Sequence, residues 1–450
     1  MTSPGDRSPD DASRPQAPVV TLTVHRASGY RASRRQLLRG LLATTAMVGL
    51  AGCTMTLPEP PARTPTPVPA VVTADVVVGI VLSLTGRYSR EGALMKAGYE
   101  VWSAAVEQAG GLKLGDGRRA LTIKLLDDES EPLTAGRQAE RLVRDNSVRL
   151  FLGPFSSAIT TSVATVADRA GGVIVAPDAS AGGLYRRGLQ GLFSILPTDD
   201  RLFHGLVDLA ASVQPRAQPA GIIIADEPSN AVAAAGFRER AAALELGPVR
   251  LELTALGSQD IMPPLERTAE STPRFIILAT EAGQTSRFAP SLREYLPYTT
   301  MRALVPMPEP INVDGKRSPL YDGVLTVENW WPTVAARGPI IGSAAEYDAR
   351  FRRQHGYAPD PRSAAATAAG VALQLAMEQA GSPEPTAVRD ALSRLDVLTF
   401  WGRLAWDTAG RNRASVPPVL QQQGNELVAV YPPELAAGRL RYPLSGWARE

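Results

Sequence analysis

The 450-residue chain has a single cysteine and three histidines. One thiol closes no intrachain disulfide and builds no cysteine metal site. His204 and His355 lie far apart, with His25 near the start, so a histidine-ligated metal is not expected. Charge of one sign is lacking too. Against 47 Lys and Arg stand 45 Asp and Glu. Seven of the arginines and three of the aspartates fall in residues 1–52, so the remainder holds 40 basic and 42 acidic side chains, a net charge of −2. That leaves no basic footprint for nucleic acid. The motifs Gly-x-Ser-x-Gly, His-Glu-x-x-His and Gly-x-Gly-x-x-Gly are missing, and Gly315-Lys316-Arg317-Ser318 lacks the upstream glycine of a P-loop. No catalytic residue, metal or cofactor is therefore assigned, and an enzyme is not expected.

What is present begins with the leader. Ser33-Arg34-Arg35-Gln36-Leu37-Leu38-Arg39 is cationic, and an apolar run from Leu41 to Leu50 follows. A run of about ten residues falls short of the roughly 20 that a bilayer span needs. A basic segment, a short apolar segment and small residues at a cut are the parts of a secretory signal. Leu50-Ala51-Gly52-Cys53 resembles the lipobox of bacterial lipoproteins, and the Arg-Arg segment resembles a twin-arginine export signal. Leu37 stands where such signals usually carry an aromatic, which leaves the general route open. The resemblance implies cleavage before Cys53 and lipid on that residue. Each buried methylene contributes about 0.8 kcal/mol, so several chains anchor durably where one does not. An extracytoplasmic protein anchored by lipid to the cell membrane, on its periplasmic side or outer face, is the expectation.

Thr56–Ala70 carries six prolines and reads as a semi-rigid stalk. Roughly 380 residues follow, which favours two domains. Val76–Leu82 is a continuous apolar, β-branched run, as in a parallel strand buried on both faces. Helical stripes then alternate with strand-like runs at Leu121–Leu126, Leu150–Leu152 and Val173–Val175, and the alternation restarts at Gly221–Ala225, Val249–Leu253 and Phe275–Ala279. Two such series predict an α/β protein with two doubly wound parallel-sheet lobes. Helices are expected at Ser343–His355, Ala364–Ala380 and Thr386–Leu395, and periodicity alone does not assign them to a lobe.

The stretch from Val76 through Leu82-Ser83-Leu84-Thr85-Gly86 to Ala109-Gly110-Gly111 resembles the opening of type I periplasmic solute-binding proteins, the leucine/isoleucine/valine- and amide-binding family. The similarity continues through 125–143, 150–180 and 193–200, and returns in 399–412 and 420–444. It implies two lobes joined by three crossovers, here near Leu196–Asp200, near Val324–Glu328 and after about Asp396, with the ligand in the cleft and closure as a hinge motion. The implied division is a signal over 1–52, a lipidated linker over 53–73, lobe one over 74–198, lobe two over 199–325, a return to lobe one over 326–396, and a segment over 397–450 crossing back to lobe two.

Candidate ligand residues sit at strand ends. Ser156 and Ser157 open a helix, where free amides favour an anion. The resemblance places Ser157 on the ligand, and capping is the structural alternative. Asp178, Ala179 and Ser180 end the next strand. The family often has Ala-Ala-Thr there, so Asp178 is a departure that repels an acid, attracts an amine, or serves as a solvated turn. Tyr88 and Glu91 belong to a loop at the cleft mouth or to plain surface. In the second lobe the family's Tyr-Gly is replaced by Asp226-Glu227, which puts branched-chain specificity in doubt. Glu281, Gln284 and Glu328 are the candidates there. Trp330 and Trp331 either line the cleft or pack at the hinge. The Asp127-Asp128-Glu129-x-Glu131 cluster reads as a structural loop ahead of calcium binding or acid/base work. The implied function is capture of an amino acid, amide or similar small polar solute for an ABC permease by a monomeric protein. The alternative is a ligand sensor or an activator of cell-wall synthases (penicillin-binding proteins) on the same fold.

Overall fold

The computed structural model describes residues 20–23, 75–115, 117–307 and 316–444. Cys53, the twin arginine and the proline stalk lie outside them. Two sheets organise the chain. In the first, β1 (Val76–Leu82), β2 (Leu121–Asp127), β3 (Leu150–Leu152), β4 (Val173–Ala176) and β5 (Leu192–Ser194) are all parallel, in the order β2-β1-β3-β4-β5. A short strand, Val20–Thr23, runs antiparallel on the free edge of β2. The β-branched run of β1 is buried nearly throughout, as a central strand covered on both faces must be. Helices α1 (Ser89–Gln108), α2 (Pro132–Asn146) and α3 (Ser157–Arg169) make the crossovers. The apolar stripe of α2, through Ala135, Ala139 and Leu142, is buried against the sheet with α3.

After β5 the chain passes through Leu196–Asp200 into α4 (His204–Ser212) and the second sheet. Here β6 (Ala220–Ala225), β7 (Arg250–Thr254), β8 (Phe275–Ala279), β9 (Met301–Val305) and β10 (Leu325–Val327) repeat the first pattern, in the order β7-β6-β8-β9-β10. Helices α5 (Pro228–Ala243), α6 (Met262–Ala269) and α7 (Ala282–Tyr295) connect them. Sequence patterning missed α4, α6 and β9. Helix α6 opens with Met262-Pro263-Pro264, which reads as a break although proline is tolerated in a first turn. Strand β9 carries Arg302 in mid-run. That side chain is buried and donates to the Thr299 hydroxyl and carbonyl at 2.7 Å each.

From β10 the chain returns to the first sheet through α8 (Ala344–His355), α9 (Pro361–Ala380) and α10 (Pro385–Arg394). The hairpin β11 (Asp396–Thr399) and β12 (Gly402–Ala405) follows. Trp406 and Asn412, just beyond it, donate to the carbonyls of Ser194 and Ile195 at 2.6 and 3.0 Å. The chain then rejoins the second sheet at β13 (Val419–Gln423), antiparallel to β10, and ends on β14 (Glu426–Tyr431). The last crossing thus lies between Asn412 and Val419.

Helix α9 is apolar on every side, and nearly all of Ser363–Met377 is buried. It lies close along α1. Ser363 and Thr367 donate to the Leu94 and Gly98 carbonyls at 2.8 and 2.7 Å, and Trp102 Nε1 donates to Gln374 at 3.0 Å. Such an approach requires small residues. A Cβ on Gly98 would stand 2.1 Å from the Ser363 carbonyl oxygen. We therefore expect Gly98→Ala to force the two helices apart and to cost about 1–3 kcal/mol, read as a lowered Tm. An unchanged Tm would show that the contact is not under this constraint.

Candidate functional site

The carboxyl ends of parallel strands, where the order reverses, are where an α/β sheet leaves room for a ligand. In the first sheet the loops after β1, β2, β3 and β4 meet at that edge. The acidic cluster is consumed in holding them. Asp127 accepts from the amides of Leu84, Thr85 and Glu129 and from the Thr85 hydroxyl. Asp128, fully buried, accepts from the Ser83 hydroxyl at 2.6 Å and the Ser130 amide at 2.7 Å. Burial pushes its carboxyl up to about 6 against the pull of those bonds. Among the described residues no group of three or more His, Cys, Asp or Glu is arranged to hold a metal ion. No described helix is long and apolar enough to cross a membrane.

A cavity of about 500 Å³ opens beside this edge, within the range of small-molecule sites. Its walls come from Arg90 and Leu94 of α1, Pro177 and Asp178 after β4, Leu196 in the first crossing, Glu328, Asn329 and Trp331 in the second, and Tyr357–Arg362 leading into α9. Of the sequence-derived candidates, Asp178 and Glu328 are brought together here. The others surround or leave the site. Ser156 caps α3, accepting from the Ile159 amide at 3.3 Å, and holds a positive φ of 72° that side-chain-bearing residues rarely adopt. Ser157 accepts from the Ala181 amide at 3.1 Å, which keeps its own O–H for another acceptor. The Ala179 carbonyl takes the Tyr185 hydroxyl at 2.5 Å. Ser180 donates to Asp199 and binds the first crossing to the end of β4. Glu91, at the start of α1, stands 3.8 Å from Arg90. Tyr88 packs edge-on against Phe155 at 5.0 Å, and Phe155 in turn faces the Arg362 guanidinium at 5.7 Å. Glu281 is committed elsewhere. Its carboxylate accepts from the Gly257 amide at 2.7 Å, fastening the loop after β7. The two tryptophans divide. Trp330 is fully buried against Tyr347 and Phe400, and Trp331 lines the cavity with Arg317 5.9 Å over its ring.

Sequence reasoning overlooked Arg90, Arg362 and the whole Tyr357–Pro361 segment. A signal was available in Asp360-Pro361, an N-cap followed by a first-turn proline. Asp360 accepts from the Arg362 amide at 2.8 Å and its guanidinium at 3.4 Å. Arg362 Nε is buried and has no hydrogen-bond partner. Asp178 has neither a hydrogen bond nor a cation within 4 Å among the described residues. Its carboxyl is pushed up to about 6, mainly by burial. Arg362 pulls it down, and Asp199, Asp360 and Glu91 add to the rise.

The periplasmic binding protein family matches residues 75–424. The chain belongs to that family. Its fold is the type I form, with 79% of the chain covering all of a branched-chain amino acid ABC transporter structure from Rhodospirillum rubrum, described as putative, at a TM-score of 0.68 and 20% identity. A solute-binding protein from Rhodopseudomonas palustris, solved with 3,4-dihydroxybenzoic acid, is covered to 98% by 82% of this chain, at a TM-score of 0.59 and 16% identity. In sequence, a Leu/Ile/Val-binding protein of Rhizobium johnstonii is 30% identical over 128 residues, 28% of this chain and 34% of that protein. The chain thus spans about a third of the length of such curated relatives.

One consequence concerns stability. The folded protein holds the Asp178 proton up to about pH 6, and an unfolded chain only to about 4. The carboxylate therefore weighs against the fold above pH 6, and the penalty fades as pH falls from about 6 toward 4. Asp178→Asn should raise the Tm of the unliganded protein at pH 7.5, with the gain shrinking toward pH 4. Melts showing no gain, or a gain independent of pH, would contradict this account.

Proposed function

We propose that the protein is the solute-capturing component of an ABC importer, held outside the cytoplasm by lipid on Cys53, and that it closes its two lobes over an amino acid, amide or similar small polar solute. The observation that carries this reading is the cavity at the crossings between the sheets. Guanidiniums of Arg90 and Arg362 and carboxylates of Asp178 and Glu328 are set there among Leu94, Leu196, Trp331 and Tyr357. Polar groups of both signs in an apolar surround orient a small polar solute without doing chemistry on it. The loops after β6 and β8, Asp226–Asn230 and Thr280–Gln284, are not among the lining residues. Hinge closure would bring them over the ligand, and a membrane permease would receive the closed form. The Leu/Ile/Val binding in a relative's name and the transporter in a structural neighbour's description support the importer assignment. The sequence up to Cys53 supports the anchor.

Thermal-shift screening of the exported protein against amino acids, amides, amines and small acids tests capture. A ligand selective for the fold raises Tm, by about 2.7 kcal/mol of stabilisation at a hundredfold excess over Kd. Absence of any shift would remove small-solute capture. For the anchor, Cys53→Ser should move the protein from the membrane fraction to the soluble extracytoplasmic fraction. Retention at the membrane would remove Cys53 as the tether.

A further inference from the structure

The first sheet ends on an unguarded edge. Open edges are usually short, charged or interrupted by proline, because their free N–H and C=O groups invite another strand. Strand β7, at the rim of the second sheet, fits that rule, with five residues that include Arg250 and Glu252. Strand β2 does not. Its seven residues hold one charge, Lys124, before the terminal Asp127. The strand lying on this edge is Val20–Thr23, which comes from the leader. It runs antiparallel, with Val20 opposite Leu125 and Thr23 opposite Thr122. Val19-Val20-Thr21-Leu22-Thr23-Val24 suits that place, since five of its six residues are β-branched, and the leader around it is rich in Ser, Asp, Pro and Arg. Its direction matters. The chain leaves the sheet at Thr23, beside the start of β2, and re-enters it at Val76, opposite Leu121. The two ends of segment 24–75, which carries Arg34-Arg35 and Cys53, thus meet where the parallel strands begin, about 10 Å apart by two strand spacings. That edge is the opposite one from the cavity.

We infer that Val20–Thr23 is a clasp: in the uncleaved chain it closes the export signal onto the folded first lobe as an added strand on β2, and the cut before Cys53 releases it. The release rests on the reading of Cys53 as the cleavage site and extends it. The clasp needs β2 already paired with β1, so it forms on a folded lobe and not on an extended chain. While the chain is continuous, the linkage holds the strand at high effective concentration beside its edge. Once cut, a four-residue strand is a separate peptide without that advantage, and the exported protein keeps an open β2 edge.

Two measurements on the full chain with Cys53→Ser, which blocks the cut and removes the native thiol, test the clasp. Directly opposed residues of an antiparallel pair have Cα atoms about 4.5–5.5 Å apart, within disulfide reach. Thr23→Cys with Thr122→Cys should therefore form an intrachain disulfide in diamide. Thr23→Cys with Lys124→Cys, two residues out of register, should give about fivefold less. Hydrogen exchange needs no new thiol. Ladder donors alternate along a strand, so Thr21→Pro with Leu22→Pro removes an N–H that faces β2. In that variant about two amides within Leu121–Asp127 should exchange about tenfold or more faster, while the amides of β1 keep their protection. Equal disulfide yield in and out of register, or β2 exchange that the prolines leave unchanged, overturns the clasp and leaves the lipid anchor standing. For the release, the exported wild-type protein should begin at Cys53 and show the fast β2 exchange of the proline variant. A protein that begins at Cys53 with β2 still protected overturns the release. An exported chain that retains Val20–Thr23 removes it together with the cut at Cys53.

Discussion

The contact between α1 and α9 is the constraint on which the cavity depends. Two helices approach this closely only where side chains withdraw, and here Gly98 and Gly370 do so. A Cβ on Gly370 would stand 2.3 Å from the Trp102 ring. The hydroxyls of Ser363 and Thr367 then reach carbonyls of the neighbouring helix rather than their own surroundings alone. This places the start of α9, with Asp360 and Arg362, beside the start of α1 and the residues after β4. A helix contributed by the late part of the chain thus completes a wall begun by α1.

The second organising feature is the contrast between spent and unspent charge. Asp127, Asp128, Asp199 and Asp360 all accept hydrogen bonds that hold loops or a helix start in place. They are acidic for structural reasons. Asp178 sits among them with the same chemistry and no such duty. Sequence gives no hint of this division, because a carboxylate that pins a loop and one that faces a cavity are the same letter.

Much of the architecture was legible because buried parallel strands are written as uninterrupted apolar runs, as in Val76–Leu82 and Phe275–Ala279. The illegible parts break that grammar. Strand β9 contains a buried arginine, and α6 begins with two prolines. At the site, Asp178 and Glu328 were visible as strand-end residues, whereas Arg90 and Arg362 were not, since each lies on a helix whose docking depends on contacts from distant chain segments. Glu281 occupied an equivalent strand-end position and was taken up by the amide of Gly257 instead. Strand ends locate a candidate, and only packing says which way it is used.

Because α9 is locked to α1, the wall that carries Asp178, Arg362 and Tyr357 belongs to one lobe and its adjoining crossings. Under the proposed function, a solute would land on a nearly complete surface before the other lobe takes part, and arrival and departure would answer to different halves of the chain. In the proposed capture role, encounter would be governed by the first lobe, and residence time by how firmly the loops after β6 and β8 shut over the solute. Changes in those loops would tune how long cargo is held for the membrane partner while leaving the speed of capture nearly untouched.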